Sequence, residues 1–272
     1  IDPTCGVAGR TEGKKCSRCE YKIDSEVILA TGEHNEGKAV IEIKVQGEYD
    51  KVVYCTVCNN ETSRNTFDIG ENVEVSNEAD LKTVLYAGYS VKLTADINLT
   101  SNIELVGDIE VTINLNGQTI TANYGTGVGD VLWAHGDENN ENAPTITITG
   151  NGTMIANGNG TYVEVISAID GANVTIENGT FVSTGCTAIY ATRGAVITIN
   201  GGHYDAQTPY EKDNRYYTLD INEGESNLGV IVVNGGTYVN FDPANHTTDG
   251  TALPDMLAEG LHTTKSGNVY TV

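Results

Sequence analysis

One phrase recurs along the last two thirds of this chain, and it limits the fold more than any other feature. It reads apolar–Thr–apolar, followed within a few residues by Asn-Gly or Gly-Gly. The copies are Val111-Thr112-Ile113 to Asn116-Gly117, Ile146-Thr147-Ile148 to Asn151-Gly152, Val174-Thr175-Ile176 to Asn178-Gly179, and Ile197-Thr198-Ile199 to Gly201-Gly202. A last copy, Ile231-Val232-Val233 to Gly235-Gly236, lacks the Thr. The second glycines are 35, 27, 23 and 34 residues apart, so the strand phrase is kept while the connections vary. Each phrase offers two apolar side chains to one face and then turns on a residue that tolerates positive φ. Alone it cannot bury that face; stacked copies bury a continuous column. The expected column contains Ile113, Ile148, Ile176, Ile199 and Val233.

A second strand accompanies each phrase: 130–134, 165–169, 187–191 and 217–221. Two or three short strands per repeat of 23 to 35 residues is the pattern of a parallel β-helix. Ahead of the repeats, Ser76 to Leu85 is predicted as a helix. Ser76 or Asn77 caps it, acids fill its first turn, and Ala79, Leu81, Val84 and Leu85 form its apolar side. Residues 91–97 alternate as a strand.

Residues 76–272 resemble the pectate-lyase-like right-handed parallel β-helices, in particular the Gly-rich surface proteins of gut Firmicutes and their phages. The phrases that carry the resemblance are SNEADLKTVLYAGYSVKLTADINLTSNIEL, VTINLNGQTI, VTIENGTF, ITINGGHYD and VNGGTYVNFDPA followed by LAEGLHTTKSGNVYTV. The resemblance implies an all-β fold in which the helix caps one end and the tail closes the other. It leaves activity open, because one fold hosts many functions.

Residues 1–70 read as a separate, small Cys-rich β module, with the β-helix over 71–272. Five of the six cysteines (Cys5, Cys16, Cys19, Cys55, Cys58) lie in the module, and its strands are short: 40–45 and 51–54. Residues 59–66 are polar and read as a linker. The two CxxC knuckles, Cys16/Cys19 and Cys55/Cys58, each put two thiols on one tight turn, so together they could complete a tetrahedral zinc. Residues 1–33 also resemble a short Cys repeat of Firmicutes surface proteins, through Thr4-Cys5, Gly9, Cys16, Cys19, Ala30-Thr31-Gly32 and His34. Three readings stand: a zinc on Cys16, Cys19, Cys55 and Cys58; a zinc on Cys5, Cys16, Cys19 and His34; or disulfides among the thiols. Each is a staple for a module too small to be held by a core. Cys186 is expected to be a small buried thiol.

Charge narrows the partners. The chain carries 15 basic and 37 acidic residues, a net of −22. The first 70 residues hold 9 basic and 12 acidic, the remainder only 6 against 25. Such a field repels phosphate backbones and anionic lipid heads, which argues against nucleic acid and membrane surfaces, and no apolar run is long enough to span a bilayer. The chain starts at Ile1, so the missing signal peptide carries no information on export.

Four residues precede glycines after the second strands: His135, Asp170, Arg193 and Glu223. They are expected to stack about 4.8 Å apart as a column of alternating charge on one edge. In a polysaccharide lyase, such carboxylates hold Ca²⁺ and the Arg removes a proton, which makes Asp170, Arg193 and Glu223 the catalytic candidates of that reading. The bland reading is a turn ladder of mutually neutralising charges. Asp108, Asp130 and Asp137 do not recur in register as the paired acids of a glycosidase should. The long insertion 207–217 carries Tyr210, Tyr216 and Tyr217, which with His135 are the candidates for ligand contact.

The expectation is therefore an extracellular or cell-surface interaction protein without enzymatic activity, adhesin-like, that binds a glycan or a host surface protein on a rigid β-helix. The competing readings are a polysaccharide lyase or glycoside hydrolase on the same fold, and a phage virion fibre, decoration or architectural spacer.

Overall fold

The computed structural model describes every residue except 45–46, 138–141, 160–161, 223–226, 246, 249–250 and 253–255. The chain forms two compact units, Ile1–Ile69 and Gly70–Val272. Strands dominate both; among the described residues there is one α-helix, and it is not long and apolar enough to cross a membrane.

In the second unit, most of the described strands assemble into three sheets of seven, eight and five strands, parallel apart from the C-terminal end of the eight-stranded one, and Thr247–Thr248 and Thr251–Ala252 form a separate antiparallel pair. From Val91–Leu93 to Thr237–Val239, consecutive strands enter the seven-, eight- and five-stranded sheets in rotation. The repeated phrases supply five strands of the seven-stranded sheet: Glu110–Asn114, Thr145–Thr149, Asn173–Ile176, Val196–Ile199 and Val230–Val233 follow one another in register. Ile113, Ile148, Ile176, Ile199 and Val233 form one row across it, and all are fully buried, as the periodicity required.

The Gly-Gly turns lead directly into the eight-stranded sheet (Thr119–Asn123, Thr153–Asn157, Thr180–Ser183, His203–Ala206, Thr237–Val239 and their neighbours). Here Phe181, Tyr204 and Tyr238 stack at 5.1 Å centroid spacing with planes 9° and 8° apart. The two phenols donate back to their own turns, Tyr204 to the Gly201 carbonyl at 2.7 Å and Tyr238 to that of Gly235 at 2.8 Å. Gly202, at φ 106°, is required there: a Cβ would sit 2.9 Å from the Gly179 carbonyl oxygen and 3.1 Å from the Tyr204 hydroxyl.

The helix is Glu78–Tyr86, capped by Asn77, whose side chain accepts from the Asp80 amide at 3.0 Å. Leu81, Val84 and Leu85 are fully buried, and the helix packs on the first strands of the three sheets. The strand expected over 91–97 ends at Leu93, and a new one, Ile97–Leu99, starts in another sheet. The intervening Asp96 accepts from the Thr119 amide at 2.8 Å, so this residue serves a turn. At the C-terminus, Val269–Thr271 and Thr264–Ser266 close the eight-stranded sheet in antiparallel fashion.

The first unit holds a three-stranded antiparallel sheet, Glu36–Ile43, Glu48–Cys55 and Glu61–Asp68. The polar stretch 59–66, expected as a linker, is mostly strand. Its polar side chains have a buried client: Asp50, fully buried, accepts from Arg64 at 2.6 Å, Thr66 at 2.7 Å and Lys44 at 2.8 Å. Lys44 and the other donors hold the Asp50 carboxyl well below the usual carboxylate range. Arg64 also bonds Glu42 at 2.8 Å and Glu61 at 2.7 Å.

Candidate functional site

The five-stranded parallel sheet carries the chemistry of the second unit. Its strands are Ile103–Val106, Gly129–His135, Val163–Ile169, Ile189–Ala191 and Leu219–Ile221. Register runs unbroken through Glu104, Trp133, Ser167, Tyr190 and Asp220, one residue from each strand. A bulge lies just before this row. The Val165 and Ile166 amides both donate to the Ala188 carbonyl, and the Ala188 and Ile189 amides both donate to that of Thr218. It breaks the alternation, so Glu164 shares a face with Ser167 although three positions separate them.

Ser167 and Glu164 are buried, at 4% and 9% exposure, and Asp130 is register partner to Glu164. The Ser167 hydroxyl lies 3.0 Å from Asp130 Oδ1 and 3.1 Å from Glu164 Oε2. A hydroxyl has one proton to give, so both bonds form only when one carboxyl is itself protonated and donates. Burial pushes Glu164 well above the ordinary carboxylate range, with the bond to Asp130 adding to it, and burial also raises Asp130.

Glu164 lines a cleft, open to solvent, together with Tyr162, Tyr190, Tyr210 and Tyr217 and with Asp220, Asn222, Thr187 and Cys186. Asn222 donates to the Tyr190 hydroxyl at 3.0 Å, and Tyr210 meets Tyr217 edge-to-face at 5.8 Å. Cys186 is buried, and burial raises its thiol pKa.

Of the expected contact residues, Tyr210 and Tyr217 line this cleft and Tyr216 does not. Tyr216 faces a separate depression with Asn214, Arg215, Asn240, Phe241 and Tyr270. His135 belongs to a third, shallow cleft with Glu104, Asp137, Asp170 and Arg193. The expected four-residue column is only partly assembled. Arg193 grips Asp170 with two bonds, Nε to Oδ1 at 2.8 Å and Nη2 to Oδ2 at 2.9 Å. His135 pairs instead with Glu104 at 3.0 Å and lies against Trp133 at 4.4 Å, because its register partner is Ile169 and not Asp170. Glu223 lies outside the described residues.

Sequence reasoning missed Glu164 and Asp220 and set Asp130 aside for want of an in-register acid. Asp130 does have an in-register acid, but it is a Glu on the next strand, turned outward by a bulge that strict alternation cannot show.

In the first unit, one group among the described residues could hold a metal ion: Cys5, His34, Cys55 and Cys58, whose ligand atoms all lie within 4.8 Å of one another. Cys5 Sγ stands 3.5 Å from Cys55 Sγ, and Cys58 Sγ 3.3 Å from His34 Nδ1. Sulfurs about 2.3 Å from a tetrahedral zinc stand roughly 3.7 Å apart, so the set fits a Cys₃His site. The Cys58 and Val57 amides lower Cys55 to about 5, whereas burial raises Cys5 to about 11. All six cysteines are free thiols.

Neither expected zinc set is the group that the structure brings together. Cys16 and Cys19 stand apart, because Lys14–Lys15 pairs with Lys22–Ile23 and puts them in the turn of a hairpin. Gly9–Arg10 pairs with Val27–Ile28 nearer the hairpin base, close in sequence to Cys5 and His34.

No family model matches the chain, and comparisons with curated proteins and with solved structures return no match.

Proposed function

We propose that the chain is an extracellular or cell-surface protein that binds a neutral glycan in the tyrosine-walled cleft of its five-stranded sheet. The observation that carries the reading is the cleft itself: four tyrosines around hydrogen-bonding carboxyl, amide and hydroxyl groups. Sugars present CH faces to aromatic rings and hydroxyls to polar groups, so such a lining matches them. The charge of the unit favours neutral over uronic sugars.

The row from Asp220 and Tyr190 through Ser167 to Trp133 and Glu104 extends the surface, one strand spacing of about 4.8 Å per step. The reading takes the rotation of strands through three sheets as a right-handed parallel β-helix, whose stiffness holds this row in place. It takes the thiol–imidazole group of the first unit as a structural zinc site.

The test is titration with neutral cello-, xylo-, manno- and chito-oligosaccharides, in wild type and in Tyr190→Ala and Tyr217→Ala. Binding that falls at least tenfold in both variants is expected. If none of the panel binds, the reading is wrong.

A second reading, glycoside hydrolysis, draws on Glu164, whose pKa is raised by burial: in its protonated form it could donate to a leaving oxygen while a carboxylate activates water. Turnover of any panel sugar that disappears in Glu164→Gln would favour it over binding alone.

A further inference from the structure

The first 35 residues have no core. Cys5 is the only buried side chain among them, while Ile1, Val7, Tyr21, Ile23, Val27 and Leu29 are each more than half exposed. Their regular structure is two two-residue strand pairs, Gly9–Arg10 with Val27–Ile28 and Lys14–Lys15 with Lys22–Ile23. A hairpin that short, without a packed face, does not hold itself together in water.

The two ends of this hairpin supply two of the four clustered ligands. Cys5 enters from its start and His34 from its end, and both meet Cys55, which ends the strand Glu48–Cys55, and Cys58 on the turn that follows. Gly6 lets the chain pass close, since a Cβ there would lie 3.3 Å from Cys58 Cβ. The Cys55 sulfur accepts from the Val57 amide at 3.4 Å, so the knuckle half of the site is already shaped by the three-stranded sheet.

We propose that a zinc ion on Cys5, His34, Cys55 and Cys58 is what folds residues 1–35, by clasping both ends of the hairpin to a preformed knuckle. The inference rests on the zinc reading and goes beyond it: the metal does not merely reinforce this segment but replaces its missing core. It also separates the roles of the two CxxC pairs. Cys55/Cys58 is the anchor, whereas Cys16/Cys19 shares the knuckle turn, with the Arg18 amide 3.4 Å from Cys16 Sγ, but takes no part in the clasp.

The experiment uses the full chain under reducing conditions, stripped with a chelator and then titrated with Zn²⁺. Bound metal is measured directly, and amide hydrogen exchange is followed by mass spectrometry. The hairpin's own bonds are the reporters: the amides of Arg10, Thr11, Cys16 and Thr31 donate to Ile1, Glu26, Tyr21 and Thr4. About one zinc per chain is expected. Exchange in residues 1–35 should slow at least tenfold on binding, with Val163–Ile169 unaffected. Cys16→Ser should keep both the metal and the protection, whereas His34→Ala and Cys5→Ser should lose the protection.

Zinc that binds without slowing exchange in residues 1–35 overturns the clasp and leaves the zinc site standing. Absence of zinc binding overturns both, and loss of metal in Cys16→Ser would show the ligand set to be wrong.

Discussion

Asp130 and Glu164 are direct register partners on adjacent parallel strands, two acids placed side by side where a sheet ordinarily separates like charges. They are tolerated because Ser167 bonds both and because burial raises the pKa of Glu164, favouring its neutral form. The arrangement has a consequence for stability. A carboxyl whose folded pKa is raised contributes stability that is complete below its unfolded pKa and lost as pH rises through the folded value.

Wild-type melting temperature should therefore fall from about pH 4, the ordinary carboxylate range, toward alkaline pH as the pair is forced to ionise. The loss is at most about 1.4 kcal/mol for each pH step between the unfolded and the folded pKa. Glu164→Gln keeps the shape and cannot ionise, so its alkaline slope should be visibly flatter. Parallel slopes for the two proteins would show that Glu164 is charged in the fold.

Asp50 gives the opposite sign in the first unit. Its carboxyl is held low by Lys44, Thr66 and Arg64, so its contribution is present above the unfolded pKa and disappears as pH falls through the folded one. Acid exposure should open the three-stranded sheet before it affects the second unit, and Asp50→Asn should open it at neutral pH. Hydrogen exchange resolved by segment checks both, and simultaneous opening of the two units on acidification would contradict the assignment.

The turn glycines divide by what surrounds them. Gly202 and Gly117 both have positive φ, at 106° and 77°, but a Cβ on Gly117 meets nothing within 4 Å while one on Gly202 strikes the Gly179 carbonyl and the Tyr204 phenol. Gly117→Ala bears only backbone strain, about 1 kcal/mol. Gly202→Ala adds a clash within the aromatic stack, for a loss of about 2–4 kcal/mol. Chemical denaturation that ranks the two equally would mean that the ring stack yields freely.

What the sequence made legible follows from the same contrast. The buried column from Ile113 to Val233 was readable because alternation and a turn signal repeat together, and the helix because Asn77 and its acids announce its start. The outer face of the five-stranded sheet was not. Its decisive feature is a bulge, which moves Glu164 to the face of Ser167, and no residue type marks it. Nor could spacing choose among five cysteines, since what brings Cys5 and His34 to Cys55 is the pairing of a hairpin whose strands are two residues long. The polar run 59–66 misled because its polarity answers a buried Asp50 and not solvent.

Arg193 separates the lyase reading from a turn held by charge. Its guanidinium makes two bonds to Asp170, and both residues sit at positive φ, 47° and 52°, ahead of Gly194 and Gly171. A base that abstracts a proton must first give up its own, which a guanidinium does not readily do in proteins. As a turn device, Arg193→Ala loses a half-exposed ion pair worth about 0.2–1 kcal/mol and retains the backbone strain. Arg193→Gly loses the same pair but is at ease in the left-handed region, which is worth about 1 kcal/mol. The glycine variant should therefore melt above the alanine variant and close to wild type, and neither should alter oligosaccharide binding in the tyrosine cleft. The lyase reading expects instead that wild type depolymerises pectate or alginate with Ca²⁺ and that both variants are stable and inert. Turnover by wild type, abolished by either substitution, would return Arg193 to the catalytic role.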